Sequence, residues 1–275
     1  MSCPFADVFS DSTVELRRRD VGDTAHSSQL RWRRRGGDAF VLRGRVQRAV
    51  KWAMIGTVAE QTGSSWPPAG GSKPPRLPDQ QQASLAWLSR AQMAEVDRVM
   101  TEDLGIHLIQ MMEHAGRHLA VLARERFLAD APAGRSVVVL AGTGGNGGGG
   151  LVAARRLHAW GAEVHIVTTA APQRYNAVLA AQLNIAERLG IAIAEQPPPG
   201  HHAIVIDALV GYSLVGELRG QVAVLAMPKV GLRAHGAHVG ELYLADISVP
   251  PTVYEPVVGH AVASPFGAAD LVRLR

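Results

Sequence analysis

Cysteine is nearly absent: Cys3 stands alone in 275 residues. An internal disulfide and a cysteine-built zinc site are therefore excluded, and a reducing cytoplasm is the default compartment. Long apolar runs are missing too. None approaches the roughly 20 residues that a membrane helix needs, so no membrane partner is expected. The opening residues, "MSCPFADVFSDS", lack the charged-then-apolar layout of a secretory leader.

Charge is unevenly spread. Residues 1–82 hold 13 Lys+Arg against 8 Asp+Glu, while the remainder holds 15 against 16. The basic character thus belongs to the first 82 residues, and nucleic acid is not an expected partner of the rest. Arginine clusters ("LRRRD", "RWRRRGG") precede a Gly/Pro/Ser/Gln stretch, "GSSWPPAGGSKPPRLPDQQQAS". Pro and Gly interrupt any regular period there, which reads as linker. "AFVLRGRVQRAVKWAMIGTV" has the pattern of a short basic amphipathic helix. The expected division is a basic, disordered extension over 1–82 and a nucleotide-binding domain over 83–275.

Regular structure is expected from "WLSRAQMAEVDRVMTEDLG", where Ser89 and Gln92 form a capping-box signature. Met93, Val96 and Met100 recur at helical spacing, and Gly105 is a plausible stop. In the next helix Ile109, Met112, Leu119, Leu122 and Phe127 would form one apolar side. From residue 136 the pattern alternates. "SVVVLAG", "EVHIVTTA", "IAIAEQPPPG" and "HAIVIDALVG" read as strands. "LVAARRLHAWG" and "PQRYNAVLAAQLNIAERLG" read as helices, the second with Pro172 near its first turn. Such alternation argues for a parallel sheet covered by helices, with ligands at the carboxyl ends of the strands.

Seven of the nine residues from Gly142 to Gly150 are glycine. Gly142, Gly144 and Gly147 spell G-x-G-x-x-G, but a dehydrogenase loop also wants an acidic residue at the end of the next strand. That strand ends "IVTTA". No Lys-Ser/Thr follows, so the P-loop reading fails as well. What remains is backbone that a phosphate can approach, at the start of a helix that favours an anion. The bland alternative is a tight turn with no ligand. Asn146 and Asp207 fall at the same sheet edge. Their oxygens suit a cation such as potassium or magnesium. Alternatively, Asn146 holds a left-handed turn and Asp207 caps a loop. His114 and His118, at i, i+4, lack the glutamate of H-E-x-x-H and read as a structural pair. His235 and His238 read as solvated loop histidines.

Five segments in order resemble the NAD(P)H-hydrate epimerase, or YjeF N-terminal domain, family between about Leu88 and Glu255. They are "SRAQMAEVDR", "MMEHAGRHLA", "GTGGNGGGGLVAARRLHAWG", "DALVGYSLVGELRG", and the closing "MPKVGL" with "GELYLADISVPPTVYE". The resemblance implies an α/β fold, a Rossmann-like three-layer α/β/α sandwich with a mainly parallel sheet, preceded by two helices. It implies an isomerase that interconverts the R and S epimers of hydrated NADH and NADPH, for repair together with a NAD(P)H-hydrate dehydratase. A potassium ion is the implied cofactor, with Asn146 and Asp207 as its contacts. Gly145, Asn146, Gly147, Gly148 and Gly149 are the implied substrate-binding residues of the first loop. Gly211, Tyr212, Ser213, Leu214, Val215, Gly216 and Glu217 are those of the second. A homodimer is compatible with the family.

The chain departs from the family pattern at three places. Gly145 and Gly149 stand where the family loop has a second asparagine and an aspartate, and His114 replaces an asparagine. "LRGQVAVLA" runs directly into "MPKVGL", so a later strand bearing an Asp-x-Pro-Ser-Gly type sequence has no counterpart. The gap is about a βαβ unit of roughly 30 residues. It should leave the sheet without an interior strand. It also removes the carboxyl that would protonate the departing hydroxyl. Glu217 and Asp246 are candidates for that task by chemistry alone. The alternative function is a catalytically silent nucleotide-binding or scaffold domain.

Overall fold

The computed structural model describes residues 71–275 apart from 171, 201, 210–219, 226, 231–238, 268 and 275, together with strands at 31–35, 39–43 and 49–53. The strands are β1 (Arg31–Arg35), β2 (Ala39–Arg43), β3 (Ala49–Ala53), β4 (Ser136–Ala141), β5 (Glu163–Thr168), β6 (Ala192–Ala194), β7 (Ile204–Ala208), β8 (Gly220–Leu225), β9 (Val239–Ala245) and β10 (Leu271–Arg273). The α-helices are α1 (Asp79–Ala83), α2 (Arg90–Arg98), α3 (Leu108–Leu122), α4 (Gly145–Ala159), α5 (Ala177–Arg188) and α6 (Pro251–Val258). Eight strands form one sheet in the order β10-β9-β8-β3-β7-β4-β5-β6. Every pairing is parallel except β10 with β9. This is the α/β, mainly parallel architecture that the sequence alternation predicts.

Local signals set the helix ends. The Ser89 hydroxyl accepts from the Gln92 N–H, and the Gln92 side chain accepts from the Ser89 N–H, closing the capping box of α2. Gly105, Gly161 and Gly190 take positive φ just past helical segments, where a Cβ would be strained. α5 begins later than Pro172 suggests. Pro172–Arg174 is a separate 3₁₀ turn, and Asn176 caps the helix by accepting from the Leu179 N–H at 2.8 Å.

β4 shows how the faces divide. Val137, Val139 and Ala141 join the main core, while Val138 and Leu140 join a second cluster on the opposite face with Val167 and Val205. Both faces of the strand are buried, which is why its sequence is continuously apolar. Met93, Val96, Met100, Met112, Leu119, Leu122 and Phe127 fill the main core as their spacing predicts. Ile109 does not; it is 39% exposed. The described helices that carry core residues, α2 to α6, all pack on this first face.

Within residues 1–82 only the strands at 31–35, 39–43 and 49–53 and residues 71–82 are described; the rest of the expected extension lies outside the described residues. β1 and β2 pair as an antiparallel hairpin, and β3 lies between β7 and β8, parallel to both. "AVKWA" is thus a strand in the middle of the sheet rather than part of an amphipathic helix. Four of its five residues are apolar, Val50 and Trp52 among them, which suits that place. The sheet does not have the interior gap that the missing βαβ unit predicts, because β3 occupies it. Closer to the domain, Leu77 is buried and its N–H donates to Arg273 O.

A partly buried ionic cluster ties this N-terminal chain to β9. Arg126 donates to both Glu241 oxygens, at 3.0 and 2.7 Å, and to Gly71 O at 2.8 Å. Tyr243 and Lys73 complete the set around Glu241. Burial alone would push the Glu241 carboxyl up. Hydrogen bonds from Arg126, Tyr243 and Lys73 outweigh it and hold the group at about 2.

Candidate functional site

The glycine run is mostly helix. Only Gly142–Gly144 form a loop, and α4 starts at Gly145. None of these glycines has positive φ, so left-handed backbone does not explain them. Close packing does. A Cβ on Gly142 would lie 1.8 Å from Leu209 O, and one on Gly147 would lie 2.1 Å from Gly142 O. A Cβ on Gly150 would lie 2.6 Å from Ala208 Cβ. Gly142 and Gly150 therefore let the loop and α4 press directly onto the end of β7, while Gly147 lets the first turn of α4 close on the loop itself. The Gly142 N–H donates to Ala208 O at 3.0 Å across that contact. Gly116 of α3 does the same from the other side: its Cβ would meet Val152 Cβ at 2.4 Å and Gly149 O at 2.5 Å. The positive end of α4 is thereby fixed at the carboxyl edge of the sheet, where an anion is favoured.

Gly145 and Gly148 behave differently. A Cβ at either would reach Met112 or Val178 at 3.5 Å or more, in ordinary contact. Gly145, Asn146, Gly147, Gly148 and Gly149 are all buried. Asn146 is 4% exposed and lies in the first turn of α4 with helical backbone, not in a left-handed turn. Asp207 is next to last in β7 and 8% exposed, and its Oδ1 accepts from the Leu209 N–H at 3.0 Å. Asn146 and Asp207 thus share one edge of the sheet. Alternation along β7 puts Asp207 with Val205 on the second face, opposite the face that α4 covers. Gly211, Tyr212, Ser213, Leu214, Val215, Gly216 and Glu217 lie outside the described residues, as do His235 and His238.

Other candidates separate. Asp246 follows β9 at the same edge and accepts from the Ser248 N–H at 2.7 Å. His114 is exposed, whereas His118 is buried. Burial pushes the His118 imidazole pKa down, so it favours the neutral ring. No group of three or more His, Cys, Asp or Glu suited to a metal occurs among the described residues.

Sequence reasoning missed two groups. Glu113 on α3 accepts from Arg155 and Arg156 of α4 and from Gln182 of α5. Burial pushes its carboxyl up, but Arg155, Gln182 and Arg156 together hold it below the usual range. The cluster locks α4 between its neighbours, and no short-range spacing announces it. Lys229, in "MPKVGL", is 1% exposed and donates to Met227 O at 2.9 Å. Burial lowers its pKa to about 8, with the Asp97 charge opposing the shift.

Residues 108–228 match the family described as YjeF-related protein N-terminus. The chain is 36% identical over 224 residues to an NAD(P)H-hydrate epimerase of Dehalogenimonas lykanthroporepellens, covering 66% of this chain and 90% of that protein. It is 32% identical to a bifunctional NAD(P)H-hydrate repair enzyme of Thermanaerovibrio acidaminovorans, of which it spans 44%. The fold resembles the crystal structure of yeast ynu0 with a TM-score of 0.57 and 19% identity, over 69% of this chain and all of that one.

Proposed function

The chain belongs to the NAD(P)H-hydrate epimerase (YjeF N-terminal) family, and from that premise we propose that it interconverts the R and S epimers of hydrated NADH and NADPH. The observation that carries this reading is the close packing of Gly142 and Gly150 on the end of β7, with Gly147 closing the first turn of α4 on the loop. It supports a nucleotide site in which the α4 N-terminus faces the phosphates. By family resemblance, Gly211 to Glu217 would supply the second set of contacts to the nucleotide and its reacting ring.

A potassium ion fits the donors at this edge. The Asp207 carboxylate and the Asn146 amide oxygen are hard oxygen ligands, both nearly buried. When bound, the ion supplies a positive charge beside the anionic substrate. Epimerisation removes and restores a hydroxyl at the carbon beside the ring nitrogen. A carboxylic acid must protonate the departing hydroxyl, and its carboxylate must later take a proton from water. Glu217 and Asp246 are the carboxyl groups we assign to that task. The bifunctional repair name of the Thermanaerovibrio relative supports coupling to a second repair activity, which we take to be a dehydratase acting on one epimer. The single cysteine supports a reducing, cytoplasmic setting. No described helix is long and apolar enough to cross a membrane.

The test mixes the protein with the epimer of hydrated NADH that a stereospecific dehydratase does not accept, plus that dehydratase. Conversion faster than the spontaneous rate is expected. Conversion at the spontaneous rate, with NADP+ still raising the melting temperature, would replace the enzyme reading with a silent nucleotide-binding domain.

A further inference from the structure

Between β4 and β7 the chain reverses its direction across the sheet. β4 is followed outward by β5 and then β6, each parallel to the last, and β7 returns to the other side of β4. In such a sheet a dinucleotide lies in the crevice beyond the carboxyl ends, with its two halves on opposite sides of the reversal. Its phosphates fall to the N-terminus of α4. Asp207 ends β7, and the loop that resemblance gives to the reacting ring follows it. The adenosine half is therefore left to the end of β5. A carboxylate at that end would hydrogen-bond a free ribose 2′-hydroxyl and repel a 2′-phosphate, whereas an arginine suits the phosphate. No Asp or Glu stands between Glu163, at the opposite end of β5, and Glu187. Arg174 does, on the 3₁₀ turn Pro172–Arg174, with an exposed side chain.

We propose that Arg174 binds the adenosine 2′-phosphate, so that the protein prefers hydrated NADPH to hydrated NADH. The inference rests on the reading of the glycine run as a nucleotide site. Residues on either side hold the turn in place. The Thr169 hydroxyl donates to Ala141 O at 3.4 Å, joining the chain after β5 to the residue before Gly142. The Tyr175 hydroxyl donates to Ala170 O, and Asn176 caps α5. A planar guanidinium pairs with phosphate through two parallel hydrogen bonds. A turn fixed in advance loses little freedom when the ligand arrives. The missing acid at the end of β5, which argues against a dehydrogenase loop for NAD, is what a 2′-phosphate requires.

The experiment titrates the full chain in a calorimeter with NADP+, NAD+, adenosine 2′,5′-bisphosphate and AMP. The wild-type chain should bind NADP+ roughly tenfold or more tighter than NAD+, and the bisphosphate tighter than AMP by a similar factor. Arg174→Ala should erase both preferences by weakening only the ligands that carry a 2′-phosphate. Arg174→Lys keeps the charge without the planar fork and should retain part of each preference. A wild-type chain that binds NADP+ and NAD+ equally overturns the proposal. So does an Arg174→Ala variant that keeps the preference, or one that weakens NADP+ and NAD+ alike. Failure of the epimerisation assay with the preference intact overturns the catalytic reading and supports this one. A chain that binds none of the four ligands overturns the nucleotide site, and the proposal with it.

Discussion

Replacing Gly147 and Gly148 separately by alanine should move stability in opposite directions. At Gly147 the new methyl would start 2.1 Å from Gly142 O and 2.9 Å from Gly142 C, both backbone atoms. That loop has no room to retreat. Gly142 is itself pressed on Leu209 O and bonded to Ala208 O. Overpacking of this kind costs about 1–3 kcal/mol or more, against about 1 kcal/mol gained by replacing a helical glycine. A net loss near 2 kcal/mol corresponds to a fall of roughly 4–8 °C in melting temperature for a domain of this size. At Gly148 the methyl meets Val178 Cγ1 at 3.5 Å and Met112 Cγ at 3.7 Å, with no clash. The helix gain is then kept, and a rise of roughly 2–4 °C is expected. The methyl would face α3 and α5, so NADP+ should still raise the melting temperature of Gly148→Ala. Calorimetry on both variants decides the matter. Equal losses at the two positions, or a neutral Gly147→Ala, would refute the packing account of the glycine run.

Two further variants probe the frame. Val50→Pro removes an N–H from β3, which is paired on both sides. It should cost about 3 kcal/mol or more and broaden or abolish the cooperative transition in urea. A silent substitution there would remove β3 from the sheet. Glu241 has a folded pKa depressed to about 2 from 4.5. Its stabilising contribution is therefore full above pH 4.5 and lost as pH falls toward 2. Glu241→Gln should be less stable than the parent at pH 7 by about 3 kcal/mol, because it strands the buried Arg126 charge. The difference should shrink between pH 4.5 and 2 in denaturant titrations, and a constant difference would show that the carboxylate is not what matters.

The sequence by itself determined whatever depends on neighbours along the chain. The capping box at Ser89 and Gln92, the alternation of β4 to β7 with α4 and α5, and the helical spacing of Met93, Val96 and Met100 all follow from local conformational preference and period. So did the family, because five short motifs in order are rarer than any one of them. Tertiary structure decided what depends on segments far apart. The need for Gly142 and Gly147 arises from Leu209 O and from the loop's own carbonyl, contacts that G-x-G-x-x-G spells without explaining. Glu113 gains its three partners only when α3, α4 and α5 come together. Above all, the place of "AVKWA" could not be read from its surroundings. An arginine-rich, glycine-broken stretch gives no local sign of an interior strand, because a parallel strand finds its hydrogen bonds in chain more than 150 residues away. The sheet, and not the sequence around it, sets Lys51 in register with Asp207.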